Sequence, residues 1–166
     1  MILLAHLLLL SQGTPKLEFL AALPTAAPGA EIVSVQAATR RAVLTHSETG
    51  QLELFDLADP ARPRSTKVLA LGLAKGEEMT SIALPPSGDY ALAAVKANGE
   101  RVPGRLVAVS LADGKILASF PCGVGPDSVA ISSDGKHALV ANEAEEFDDN
   151  DGGDDSSAPG SLTHVR

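Results

Sequence analysis

The 166-residue sequence has no tryptophan, only 3% aromatic residues and a single cysteine, Cys122. With so few aromatics, the core must be filled by Ala, Val, Leu and Ile. One cysteine excludes an intrachain disulfide framework and a multi-cysteine zinc or iron–sulfur site. With no catalytic partner in view, Cys122 reads as a small buried hydrophobe. The apolar run at residues 1–10 (MILLAHLLLL) is too short to span a bilayer. Basic charge is also missing. The net charge is -8, and residues 143–155 alone hold eight acids and no Lys or Arg. Of the 21 acids, the other 13 face 13 bases. Neither part offers the basic stripe that counterion release requires, which excludes nucleic acid as a leading partner.

A composition of 45% hydrophobic and 20% charged residues argues for a folded chain. The length fits one domain or a piece of a larger one. Residues 1–16 are set apart as a signal-like or unstructured lead-in. The apolar run has the character of a secretory h-region, and the small residues of 21–27 (AALPTAA) follow some way behind it. A positive n-region is lacking, so a buried strand or a plain lead-in also fits. His6 sits inside the apolar run and is no ligand candidate.

Residues 17–166 carry an internal repeat. EIVSVQAATRRAVLTH from Glu31, MTSIALPPSGDYALAAVKA from Met79 and PDSVAISSDGKHALVANEA from Pro126 line up, and Ser34, Ser81 and Ser128 recur every 47 residues. Each unit predicts a short alternating strand, a turn and a returning strand. The second turn is Pro86-Ser87-Gly88-Asp89 and the third Ser133-Asp134-Gly135-Lys136. Glycine in these turns supplies the positive φ of a tight hairpin. Third strands are predicted at 50–57 (GQLELFDL) and 104–111 (GRLVAVSL), and fourth strands at 66–71 and 115–120. Period-two alternation, as in Leu52 and Leu54, turns one face inward. No stretch carries an amphipathic helix.

Four short strands per unit at just under 50 residues is the arithmetic of a β-propeller blade. The predicted fold is therefore all-β, a partial propeller of about two and a half four-stranded antiparallel blades. A β-sandwich would explain the strands but leave the 47-residue interval an accident. Since a ring takes four to eight blades, the expectation is a fragment, a truncated product or a chain completed by a partner. Open edges and faces call for the remaining blades or a self-partner to cap them.

The acidic loop at 143–159 widens the third unit between its second and third strands. Asp149, Asp151 and Asp154, with Asn150 and Gly152, present oxygens of the kind Ca²⁺ takes. The spacing matches a helix–loop–helix calcium loop only in part, lacking the bidentate Glu at position 12. A solvated acidic loop is the competing reading. No catalytic set emerges. The acids crowd one loop, there is no G-x-S-x-G elbow, and the repeated serines fit a structural role. His46 and His137 occupy non-equivalent places near strand ends and read as surface residues. Tyr90 reads as packing at a hairpin return.

The run Pro126-Asp127-Ser128-Val129, Ser133-Asp134-Gly135-Lys136, Ala138 to Glu143 resembles the YVTN-type propeller repeat. In order, the motifs are similar to the amino-terminal part of the choice-of-anchor I proteins, large bacterial cell-surface or exported propellers related to a mesenchyme-specific cell-surface glycoprotein. Ala30-Glu31-Ile32-Val33-Ser34-Val35 resembles that family's opening strand. Leu54-Phe55-Asp56-Leu57 before Asp59-Pro60 resembles its turn. Val140-Ala141-Asn142-Glu143, an Asp-rich loop and Gly160-Ser161 resemble its "VANEGEP" stretch. The chain departs from the pattern at Ala144-Glu145-Glu146, at Ser157-Ala158-Pro159 and at His164. The resemblance covers about residues 17–165 and implies an extracytoplasmic scaffold that serves binding or surface architecture. A protein, a polysaccharide or a cation would be its ligand. The alternative is a fragment of a calcium-dependent propeller hydrolase, phytase-like or lactonase-like, whose ligands would come from several blades.

Overall fold

A computed structural model describes residues 17–99, 101–144 and 159–166. Among them lie eleven β-strands and two single turns of 3₁₀ helix. The strands are β1 (Ala30–Gln36), β2 (Arg41–His46), β3 (Gln51–Asp56), β4 (Arg64–Ala70), β5 (Glu78–Ala83), β6 (Tyr90–Lys96), β7 (Pro103–Ser110), β8 (Ile116–Val124), β9 (Pro126–Ile131), β10 (Ala138–Asn142) and β11 (Ser161–Val165). They form three antiparallel meanders, β1-β2-β3-β4, β5-β6-β7-β8 and β9-β10-β11. These are the blades of a partial propeller, and none of the sheets closes on itself.

The turns follow their residues. Gly88, Gly114 and Gly135 hold positive φ at the hairpins (104°, 77° and 71°). Asp134 accepts the N–H of Lys136 and the hydroxyl of Ser132, which fixes the β9–β10 turn. In the shorter first turn a non-glycine residue, Arg40, takes the left-handed conformation at φ 51°. The crossing from the first blade to the second is pinned by Glu77. Its carboxylate accepts Arg105 Nε at 3.0 Å and Nη2 at 2.7 Å, and the Ala74 N–H at 2.8 Å.

The middle blade is buried on both faces, so its strands are nearly all apolar. Ala91, Ala93, Val95, Val107 and Val109 pack toward the first blade, with Val43, Leu52, Leu54 and Leu69 opposite. Leu92, Ala94, Leu106 and Cys122 pack toward the third, with Val129, Ala138 and Val140 opposite. Alanine at so many facing positions lets the sheets approach closely without aromatic filling.

The serines that recur every 47 residues staple these joints. Ser34 Oγ accepts the N–H of Leu84, the first residue past β5, at 2.9 Å. Ser81 Oγ accepts the N–H of Val129 in β9 at 3.3 Å. Each hydroxyl thus satisfies a backbone donor of the following blade that no ladder partner reaches. Ser128, the third member, is exposed.

Candidate functional site

The innermost strands β1, β5 and β9 begin at one end of the molecule, where a groove of about 320 Å³ is lined by Glu31, Glu78, Thr80, Lys96, Gly125, Pro126, Asp127 and Glu143. Glu31 and Glu78 occupy the same place in successive units, 47 residues apart. Gly125 holds that place in the third unit. At φ +60° it lets the chain leaving β10 pass over it, with an added Cβ only 3.2 Å from the Ala144 nitrogen. Its carbonyl accepts the Glu143 N–H at 2.8 Å. The Thr80 hydroxyl donates to the Pro126 carbonyl and ties the second blade to the third at the groove floor. Four carboxylates therefore border the groove against one lysine, whose Nζ stands 4.0 Å from Glu78 Oε2.

The acidic segment leaves from this rim. Its entry is set by Ala144, buried and at φ 56°. Its exit is set by Asn142, whose Nδ2 donates to Ser161 O and Oγ, both at 3.2 Å, and to Thr163 Oγ1 at 3.1 Å. Asn142 thereby clamps the start of β11 against the end of β10. Gly123 fits beneath this clamp because a Cβ there would meet Ser161 Oγ at 2.4 Å. Asp149, Asp151 and Asp154 lie outside the described residues. Among the described residues no three of His, Cys, Asp and Glu stand close enough to hold a metal ion. A cation at this end would need the acids of the segment itself.

Two other titratable clusters differ from the sequence expectation or complete it. His46 is fully buried, not a surface residue. Its Nε2 lies 2.9 Å from Glu53 Oε2, and Glu53 is itself only 1% exposed. The Ala26 N–H also reaches Glu53 Oε2 at 2.9 Å, so the strap of residues 17–29 is fastened over the pair. Burial alone would raise the Glu53 pKa. The bonds from Ala26, Ser65 and His46 outweigh it and hold the carboxyl below its ordinary value. The sequence held a signal for this pair. In the β2–β3 register His46 faces Gln51, which puts Glu53 diagonal to it on the same face. His137, half-buried, meets His164 of β11, with Nδ1 2.9 Å from Nε2. Cys122 is buried in the joint of the second and third blades, and burial pushes its thiol pKa up, as befits an inert packing residue. Tyr90 also packs against that joint.

The profile of the choice-of-anchor I domain matches residues 31–166, and the chain belongs to that family. No curated protein matches it. Among solved structures it is similar to hydrazine synthase of Kuenenia stuttgartiensis, at 18% identity and a TM-score of 0.51, covering 68% of this chain and 30% of that one. A luciferin-regenerating enzyme gives 13% identity and a TM-score of 0.55, with coverage of 81% and 43%. A protein of unknown function from Desulfotomaculum acetoxidans gives 16% and 0.52, with coverage of 68% and 33%. At such identities the likeness is one of fold. The chain spans between 30% and 43% of the length of these structures.

Proposed function

We propose that this choice-of-anchor I chain is an extracytoplasmic binding scaffold whose acidic end takes up Ca²⁺ and presents it to a protein or polysaccharide ligand. The observation that carries this reading is convergence. Glu31, Glu78, Asp127 and Glu143 border one groove, and the segment bearing Asp149, Asp151 and Asp154 starts from its rim. Like charges gathered at one rim repel one another, and a hard cation with oxygen ligands relieves that repulsion. The fold supports a binding role, because propellers carry their sites where loops of successive blades meet. Family membership supports the extracytoplasmic location, with residues 1–16 as a signal-like lead-in and residues 17–166 as the propeller part. No chemistry is assigned to the chain.

Isothermal titration of the 166-residue chain with CaCl₂ tests this reading. Saturable binding is expected, weakened at least tenfold in a variant carrying Asp149→Asn, Asp151→Asn and Asp154→Asn together, since each removes a charged ligand. Absence of binding by a folded chain, or equal binding by the variant, overturns it.

A further inference from the structure

We propose that Asn98–Gly99, in the loop between β6 and β7, is a self-modification site, at which the Gly99 backbone nitrogen displaces the side-chain amide of Asn98 as ammonia. The inference is independent of the calcium reading of the acidic end.

Three asparagines occur in the sequence, and Asn98 is the one followed by glycine. Both residues of the pair are exposed. Gly99 holds φ +116°, which glycine adopts without strain. With no Cβ of its own, its nitrogen is open to the Asn98 side chain. Among the described residues that N–H donates to nothing. The Asn98 amide is itself lightly held. Its Nδ2 donates to Lys75 O at 3.4 Å, beyond the usual range for such a bond. Asn142 is the contrast. It precedes Glu143, is 3% exposed, and its Nδ2 reaches Ser161 and Thr163 at 3.1–3.2 Å. The Asn98 loop belongs to the middle blade, which has a blade packed on either side. Its exposure is set by neighbours that are present.

The chemistry needs only water. The Gly99 nitrogen loses its proton to hydroxide and bonds to Asn98 Cγ. The Cγ–Nδ2 bond breaks, and Nδ2 takes a proton from water and leaves as ammonia. Water then opens the cyclic imide at either carbonyl, giving aspartate or isoaspartate at position 98. Either product replaces a neutral amide by a carboxylate. The amide rests against Gly76, where a Cβ would run into Asn98 Cγ, Nδ2 and Oδ1 alike. Gly76 lies in the crossing from the first blade to the second, followed by Glu77 and Glu78. A carboxylate in that seat has no proton to give Lys75 O and adds like charge beside those acids. The tie between loop and crossing is released.

The test is mass spectrometry of the tryptic peptide 97–101, bounded by Lys96 and Arg101, after the folded chain has stood at mildly alkaline pH. Circular dichroism confirms the fold. Exchange of the Asn98 amide for a hydroxyl is expected, shared between two isomers of equal mass that separate on reversed-phase chromatography. Conversion should rise with pH, and Asn142 should stay intact. Gly99→Ala, or Asn98→Gln where that variant does not fold, should slow it more than about tenfold, about 1.4 kcal/mol on the barrier. The converted chain, isolated by anion exchange, should show faster hydrogen exchange at Glu77, whose N–H closes the crossing turn on Ala74 O at 3.0 Å. Asn98 that persists in the folded chain while the urea-denatured chain converts overturns the proposal. So does conversion at an equal rate in the variant, and unchanged exchange at Glu77 overturns the release of the tie.

Discussion

Ser81 shows how far a single residue reaches in this molecule, because its hydroxyl bonds to Val129, 48 positions away in the next blade. Ser81→Ala is expected to cost about 1 kcal/mol, read as a lower denaturant midpoint at constant slope. The 47-residue recurrence of serine is plain in the sequence. Its donor is not, because it belongs to another unit and only the stacking of blades brings the two together. His46 teaches the opposite lesson. It alternates correctly for one face of β2, but whether that face is wet depends on the strap that covers it. Residue-by-residue reading therefore placed it at the surface. The pair has a pH signature. The folded Glu53 pKa lies below the ordinary 4.5, so its contribution is complete above about pH 4.5 and is lost as pH falls through the lower folded value. Glu53→Ala, which leaves the buried His46 and the Ala26 N–H without their acceptor, should cost about 3 kcal/mol at neutral pH. The gap between wild type and variant in chemical denaturation should narrow as the solution is acidified below that point.

Strand order and turns were legible because Asp-Gly, Ser-Gly and period-two alternation are local signals. The ends of strands were less so. The sequence places the fourth strand of the second blade at 115–120, yet β8 runs from Ile116 to Val124 through Pro121. As the outermost strand of its sheet it loses little by lacking an N–H at Pro121. Gly104 in β7 marks a close approach between elements, since a Cβ there would lie 2.5 Å from both Val95 O and Pro126 Cγ. Gly104→Ala is expected to destabilise by about 1–3 kcal/mol through overpacking. It should also loosen the entry of β9, visible as faster hydrogen exchange at Asp127 and Ser128 than in the wild type.

Across the whole molecule, the joints between sheets hold the fold, and the sequence showed the number of blades before it showed which faces they share. A strand apolar on both faces, such as β6, reads only as buried until its neighbours are placed. Leu106, fully buried between the second and third blades, should cost about 2–5 kcal/mol when cut to alanine, with one cooperative transition retained if the blades unfold together. The acidic segment was legible in composition, whereas the meeting of Glu31, Glu78, Asp127 and Glu143 at one groove was not, because they come from three units and meet only at the end of the inner strands. That end is the surface through which the chain is proposed to bind. The direct measurement is a Ca²⁺ titration followed residue by residue in ¹H–¹⁵N correlation spectra. Shifts confined to Glu31, Glu78, Asp127, Glu143 and the acidic segment, with Leu139 and Val35 unmoved, are the predicted result. Shifts spread over the blade faces, or none at saturating Ca²⁺, would contradict it.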